Sequence, residues 1–553
     1  MNTDEYTVGN YLVDRLSELG LEHLFSIAGD YSIEWVNSYV APSTIEVVGE
    51  VNELNAGYAA DGYARLKGIG ALCVTYSAGA LCAVNAIAGA YVEKVPVVLI
   101  NGTPNIKKLL TFEQTGFSAH HFISGAATDL QVFEYITAAT ARVDNPDLAP
   151  MVIDYALTQC ITESRPVYIE LLEDMVDLAC ERPRGTLKRA RTLSDPPSVE
   201  AAIAEISGKL QTATNPLIWL GVEVDRAGLQ EQALALIEQL NIPFVTELLS
   251  KALLSEAHPL FAGVLDGQAS LPAVRDLTTE SDFILALGVW LTDLNSLGWN
   301  PDWANTAFVS WDTVKYGTFF APQVALEQLI DGLLAKQVVR NAASPPATMA
   351  PDHAATVDPS DEISYQGMYD CMQQYIDENT IVGSDASMNY FGCLALKVPL
   401  AGGFVAQPSY SSIGYIAPAA TGICLAKKSD QRVLVFAGDG GFQMSAQCLS
   451  TQTRLGLDPI VVVVNNGVYG VEQWLADASV FSTDDPFRTA CMLHPWQYSK
   501  LAEVFGCQGW RASTYGELED AMAGALANSN SPSIIEVVVP SKSFFDNARW
   551  KTH

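Results

Sequence analysis

A glycine-flanked carboxylate and a pair of asparagines carry the first chemical suggestion in this sequence. Gly438-Asp439-Gly440-Gly441 closes an apolar run, Val433 to Ala437, and Asn465-Asn466 closes a second, Pro459 to Val464. Both runs are short, continuous and rich in valine, the pattern of strands buried on both faces. In an open α/β sheet, ligands gather outside the carboxyl ends of the strands. Two such ends would present Asp439 and Asn466 toward one place. A carboxylate and an amide oxygen are hard ligands suited to Mg²⁺, which also keeps substrate phosphate oxygens. Glycines let backbone N–H groups approach an anion, and the N-terminus of a following helix favours negative charge. The local chemistry is that of a diphosphate held by a magnesium ion. A lone Gly-Asp-Gly is an ordinary turn; the second strand end, with its Asn-Asn, raises the pattern above that.

Four other places could do chemistry, and each has a plainer reading. Glu53 opens a helix-like stretch, where a carboxylate ordinarily serves the helix dipole. Asp30 follows a short strand, as a turn or cap residue would. His120-His121 are adjacent, and adjacent side chains point different ways, so a metal pair is not expected from them alone. Glu472 lies six residues beyond Asn466, where a solvated helix carboxylate is the simple account.

The elements that must position these residues alternate between strand and helix patterns. Residues 7–20 have helical periodicity and stop at Gly20. His23–Ile27, an apolar segment at Glu46–Gly49, Ala71–Thr75, Pro96–Ile100 and Val167–Leu171 read as strands. Asn52–Arg65 and Ala80–Tyr91 read as helices of small residues that can pack closely. A second block has strand candidates at Pro216–Leu220, Pro243–Thr246, Phe283–Leu287 and Ala307–Ser310. No Gly-x-Gly-x-x-Gly follows any of them, so a bound dinucleotide is not expected there. A third block has Thr380–Asp385, Val433–Ala437, Pro459–Val464 and Ile534–Val539. Such alternation predicts an α/β chain of three doubly wound parallel-sheet domains. Residues 181–198, rich in Arg, Pro and Ser, and 341–361, rich in Pro, Ala and Asp, read as linkers. The expected division is 1–182, 197–340, the linker 341–361, and 362–553.

Composition bounds the function. The chain has 553 residues, 49% of them hydrophobic, and a net charge of −32. That balance provides for a large core and argues against nucleic acid, whose phosphates need clustered Lys and Arg. Ten cysteines are scattered without Cys-x-x-Cys, which fits a reducing compartment and argues against a disulfide framework or a zinc site. The polar, acidic N-terminus lacks the pattern of a signal peptide, and no apolar run reaches about 18 residues. The expectation is a cytoplasmic protein without a membrane partner.

With these residues in place, the sequence resembles the thiamine diphosphate enzymes. Gly438-Asp439-Gly440 followed by Asn465-Asn466 matches their diphosphate and Mg²⁺ motif, and Asn52-Glu53-Leu54-Asn55 with the small-residue helix after it matches their glutamate segment. The resemblance implies Asp439, Asn466 and the Val468 backbone as ligands of Mg²⁺. It implies Thr75, Ser411, Ile413, Gly438, Gly440, Gly441 and Tyr469 as further contacts of thiamine diphosphate. Glu53 would hydrogen-bond the aminopyrimidine and promote formation of the ylid. Asp30, His120, His121 and Glu472 together resemble the polar set of the pyruvate, indolepyruvate and branched-chain 2-oxo acid decarboxylases.

The resemblance implies non-oxidative decarboxylation of a 2-oxo acid to an aldehyde and CO₂, through an ylid and an enamine. The alternative within the superfamily is a carboligase of the acetolactate-synthase kind. A cofactor-binding protein without catalysis is a third reading, against which the intact Glu53 speaks. Tyr390 and Val471 would line the substrate pocket, one narrowing it and the other enlarging it. Because the pyrimidine and diphosphate blocks of different chains meet in this family, a homodimer or a dimer of dimers (a homotetramer) is implied. Two departures stand out. Tyr410-Ser411 replaces the usual Trp-Gly, and Ser124 to Asp129 replaces the usual turn after the histidines.

Overall fold

The computed structural model describes residues 5–125, 127–190, 192–339 and 357–545. Three helix-wrapped sheets follow one another along the chain. The first has six parallel strands in the spatial order Glu46–Gly49, His23–Ser26, Gly70–Thr75, Val97–Thr103, Val167–Leu172, Ala139–Val143. The third has six parallel strands in the order Phe404–Ala406, Thr380–Ser384, Arg432–Gly438, Ile460–Asn465, Ser533–Val538, Gln508–Ala512. The central strands of both are apolar runs buried on both faces, as the sequence pattern predicts.

The middle sheet departs from the all-parallel expectation. Five parallel strands are extended at one edge by Thr313–Tyr316 and Phe319–Pro322, which pair antiparallel around Gly317. A short connection cannot cross over a sheet, so two strands this close in sequence must form a hairpin. The crevice between Pro216–Leu220 and Phe283–Leu287, where the strand order reverses, is filled by the chain itself. A Cβ on Gly221 would lie 2.2 Å from Val289 Cα, and one on Gly288 would lie 2.8 Å from the Val224 nitrogen. The Gly221 N–H donates to the Leu287 carbonyl at 2.9 Å, and that of Glu223 to the Gly288 carbonyl at 3.0 Å.

Other expectations shift in detail. The helix expected over 80–91 is two helices, Ala78–Cys82 and Val84–Val92; the Ala83 N–H is shared between the Gly79 and Ala80 carbonyls, a tightened turn that breaks the run. The stretch expected as a linker over 181–198 already contains a helix start. Asp195 caps Pro196–Thr212 by accepting from the Ser198 N–H at 3.0 Å. Of the second expected linker, residues 341–356 lie outside the described residues. Among the described residues, no helix is long and apolar enough to cross a membrane.

The three blocks are joined by buried contacts that hold the site. Helix Glu53–Lys67 of the first block lies directly on helix Ile416–Ala426 of the third. A Cβ on Gly62 would sit 2.4 Å from the Ala419 carbonyl oxygen, and one on Gly422 would sit 1.9 Å from that of Ala59. The small residues read from the sequence are therefore what lets two backbones touch. Lys94 pairs with Glu223 between the first and middle blocks. Lys251, paired with Glu256 at 2.8 Å, reaches the Leu396 carbonyl at 2.7 Å and ties the middle block to the third. Both pairs are buried, which demands the additional hydrogen bonds that Lys251 shows.

Candidate active site

Asp439 and Asn466 arise from neighbouring strands. Arg432–Gly438 and Ile460–Asn465 pair in parallel, with Gly438 opposite Val464, so their carboxyl ends lie side by side. The strand does not turn before its helix. Gly438 ends the strand and Asp439 begins helix Asp439–Ser445, so Gly440 and Gly441 are helical rather than turn residues. Their role is close approach. A Cβ on Gly440 would lie 2.2 Å from the Tyr469 ring, and one on Gly441 would lie 2.3 Å from Asp385 Oδ2.

Asp439 is buried and its two oxygens are held apart. Oδ1 accepts from the Gly440 N–H at 2.8 Å and Oδ2 from the Gly467 N–H at 2.7 Å. Burial pushes its carboxyl up to about 6, against the pull of these N–H groups, and no cation neighbours it among the described residues. Asn466 Oδ1 accepts from the Val468 N–H at 3.2 Å, and its backbone carbonyl accepts from Ser541 Oγ at 2.6 Å. The loop is pinned by the Tyr469 N–H, which donates to the Cys491 carbonyl at 2.8 Å. Asp439 and Asn466 line an open cleft together with Gly438, Gly440, Gly441, Ile413, Val468, Tyr469 and Glu472. Every named lining residue belongs to the third block. An oxygen-only donor set around a buried carboxylate without a cation fits a hard divalent ion, whose charge the site lacks.

Sequence reasoning missed Asp385 and Ser387 in this cleft. Asp385 lies just past Thr380–Ser384, the strand adjoining Arg432–Gly438, and the strand-end rule applied to a third strand points to it. It is fully buried and accepts from the Gly414 N–H at 2.8 Å and the Tyr415 N–H at 3.1 Å, fixing the loop that carries Ser411 and Ile413. Burial pushes its carboxyl up to about 6. Ser411 has φ +56 and Ser387 φ +88, left-handed geometry that favours glycine. The serine standing where the family has glycine thus keeps a glycine's backbone, steadied by its Oγ donating to the Pro408 carbonyl at 2.6 Å.

The two expected pocket walls lie apart, and Val471 is not among the residues lining the Asp439 cleft. Val471 packs half-buried against the core of the third block. Tyr390 does not line the Asp439 cleft. It is buried beside Leu248, Asp266 and Leu297 in a narrow cavity between the middle and third blocks.

The remaining residues gather on the first block. His120 Nε2 is 2.5 Å from Asp30 Oδ2 and His121 Nε2 is 4.0 Å from Asp30 Oδ1. Thr75 Oγ1 donates to Asp30 Oδ1 at 3.3 Å. Burial pushes the Asp30 carboxyl up, but the hydrogen bond and charge of His120 outweigh it and hold it below the usual range. The adjacent histidines do not diverge as expected. His121 has φ +70, and this reversal brings the two rings to 4.8 Å between centroids, both toward Asp30. His120 stacks on Tyr31 at 5.0 Å and 13°. The segment after the histidines is anchored by Asp129, which is buried and accepts from the Ser77 N–H at 2.6 Å and Ser77 Oγ at 2.7 Å.

Glu53 starts its helix just past Asn52, whose side chain accepts from the Asn55 N–H at 2.7 Å. The half-buried Glu53 carboxyl lies against the Cys82 thiol; burial and that carboxylate's charge push the thiol up. A Cβ on Gly79 would come within 3.2 Å of Glu53 Oε1. Glu50 sits differently. It is half-buried in the seam with the third block, where Thr451 Oγ1 donates to it at 2.8 Å, and its Oε1 has no hydrogen-bond partner among the described residues.

Comparison with known proteins fits this geometry. Three family models match in order. The thiamine pyrophosphate enzyme N-terminal TPP binding domain matches residues 6–125, the central domain 203–330, and the C-terminal TPP binding domain 388–537. The chain is 34% identical to the alpha-keto-acid decarboxylase of Mycolicibacterium paratuberculosis, over 97% of this chain and 94% of that one. The chain belongs to the thiamine pyrophosphate enzymes. It is 33% identical to the alpha-keto-acid decarboxylase of Mycobacterium leprae, over 97% of this chain and 93% of that one. The fold is shared with a crystal structure described as a thiamin diphosphate-dependent enzyme from Mycobacterium smegmatis, with a TM-score of 0.76 and 20% identity over 97% of this chain and all of that one. The cofactor of this thiamine pyrophosphate enzyme is thiamine diphosphate, and the cleft at Asp439 and Asn466 is lined within the matched C-terminal domain.

Proposed function

We propose that this chain decarboxylates a 2-oxo acid to an aldehyde and CO₂, at a site completed by a second copy of the chain. The observation that carries the reading is the separation of its parts. The named lining of the Asp439 cleft comes wholly from the third block, whereas Glu53 and the Asp30–His120–His121 cluster stand on the first. A cofactor with a pyrimidine at one end and a diphosphate at the other needs both. The working units are residues 1–182 for the pyrimidine, 197–340 as the middle domain and 362–553 for the diphosphate.

Asp439, Asn466 and the Val468 backbone would hold Mg²⁺ and through it the diphosphate, with Gly440 and Gly441 giving close approach. Glu53 would hold the pyrimidine, with Thr75, Ser411, Ile413, Gly438 and Tyr469 as further contacts. Bound thiamine diphosphate supplies an electron sink for the pair left when CO₂ departs. The chain supplies placement and proton traffic. Asp30 and the two histidines orient the substrate carboxylate and hold the proton that the carbon takes up in place of CO₂. Glu472, at the cleft edge, serves the same transfer from the other side. Protonation after loss of CO₂ is what a decarboxylase needs and a carboligase must avoid. The Asp30 pair with His120, a charge-assisted contact at 2.5 Å, supports the former.

The test is product identity. Purified protein with thiamine diphosphate and Mg²⁺ is given pyruvate, 2-oxoisovalerate, phenylpyruvate and indolepyruvate in turn. The expected result is CO₂ and the matching free aldehyde in equal amounts from at least one. Acetolactate from pyruvate in place of aldehyde would overturn the reading.

A further inference from the structure

The geometry points to a second metal site, formed by Asp30, His120 and His121, that takes a borderline divalent transition ion such as Zn²⁺ and blocks turnover when filled. One carboxylate oxygen and one nitrogen from each ring all lie within 4.8 Å of one another. Two imidazoles and a carboxylate are the donors that zinc prefers, at bonds of about 2.0–2.2 Å. They differ in kind from the all-oxygen set at Asp439 and Asn466, which suits Mg²⁺. One molecule therefore carries two sites of opposite preference.

The local structure prepares the ligands. The reversed backbone at His121 turns its ring to the side of His120. Tyr31 stacks on His120, with its hydroxyl 3.4 Å from Nδ1, which leaves Nε2 directed at Asp30. Such outer partners commonly fix a ligating imidazole. Thr75 holds Asp30 from behind. His120 and Asp30 are 59% and 49% exposed, so an ion reaches them from solvent and a fourth position stays open to water. Occupation breaks the Asp30–His120 contact and ties up both ring nitrogens. That this stops catalysis rests on the function proposed above; the site itself does not.

Zn²⁺ binding is measured by titration calorimetry on the protein loaded with thiamine diphosphate and excess Mg²⁺. One site per chain is expected, with affinity falling at least tenfold in His120→Ala and in His121→Ala and unchanged in Cys82→Ser. Binding that is absent, or equal in the wild type and both histidine variants, overturns the site. In parallel, Zn²⁺ is expected to abolish aldehyde release, with recovery after chelation and return of Mg²⁺. Binding without inhibition overturns the claimed block. A zinc-free control with thiamine diphosphate and Mg²⁺ that makes no aldehyde counts against the functional reading, while calorimetry still decides the site.

Discussion

Asp439 Oδ2 accepts the Gly467 N–H at 2.7 Å, which ties the end of one central strand to the loop beyond its neighbour. The carboxylate is thereby fixed before any ligand arrives, at the cost of a buried charge without a cation. The two halves of that statement have opposite consequences for one substitution. In Asp439→Asn, Mg²⁺ and thiamine diphosphate should bind about 100-fold more weakly, the equivalent of roughly 3 kcal/mol for a lost charged partner. The apoprotein should become more stable near pH 8, because the uncompensated charge is gone. Calorimetric titration and a thermal melt of the apoprotein check the two. A melt that falls while affinity holds would show a structural residue rather than a ligand.

Subunit mixing tests the shared site. Glu53→Gln and Asp439→Asn chains should each be inactive alone. Unfolded together and refolded at equal amounts, they should regain about a quarter of wild-type activity, since half of random dimers are hybrid and each hybrid has one intact site. No recovery from a mixture that refolds to dimers means that both residues serve a site within one chain.

Much of this was legible in the residues. Valine runs such as Val433–Ala437 mark central strands because burial on both faces leaves no place for polar residues. The edges are harder to see. Ala139–Val143 alternates buried with half-buried residues, Gln508–Ala512 is largely exposed, and Phe404–Ala406 is three residues long. The hairpin at Gly317 escapes because a parallel pattern was expected throughout. At the site, strand ends led to Asp439 and Asn466. Nothing in the sequence shows that His121 adopts a left-handed backbone, so the convergence of the two rings could not be read. Nor does position along the chain show that Tyr390 lies against the middle block, beside Leu248 and Leu297.

Ser387 offers a simple stability test. It precedes helix Met388–Ala395 with φ +88 and ψ −140, a region close to one used almost only by glycine. Ser387→Gly should relieve this strain and stabilise the apoprotein by about 1 kcal/mol, less than the full strain because glycine also frees the unfolded chain. The measurement is the urea midpoint at constant slope. A lower midpoint would mean that the serine side chain holds the cleft in some way worth more than the strain it stores.

Glu50 and Glu53 stand three residues apart and should answer pH differently. Burial pushes the Glu50 carboxyl up to about 7, although Thr451, the Val51 N–H and the charge of Arg454 favour its ionised form. A carboxyl raised on folding binds its proton more tightly in the folded state. Its contribution to stability is therefore full below the unfolded value of about 4.3 and is lost as pH rises through about 7. Glu50→Gln keeps the shape and removes the titration. Relative to wild type, the variant should be less favoured at pH 4.5 and gain steadily up to pH 7.5, by about 1–3 kcal/mol across that window. Apoprotein denaturation at a series of pH values measures it. Parallel curves for the two proteins would place the Glu50 carboxyl in water rather than in the seam.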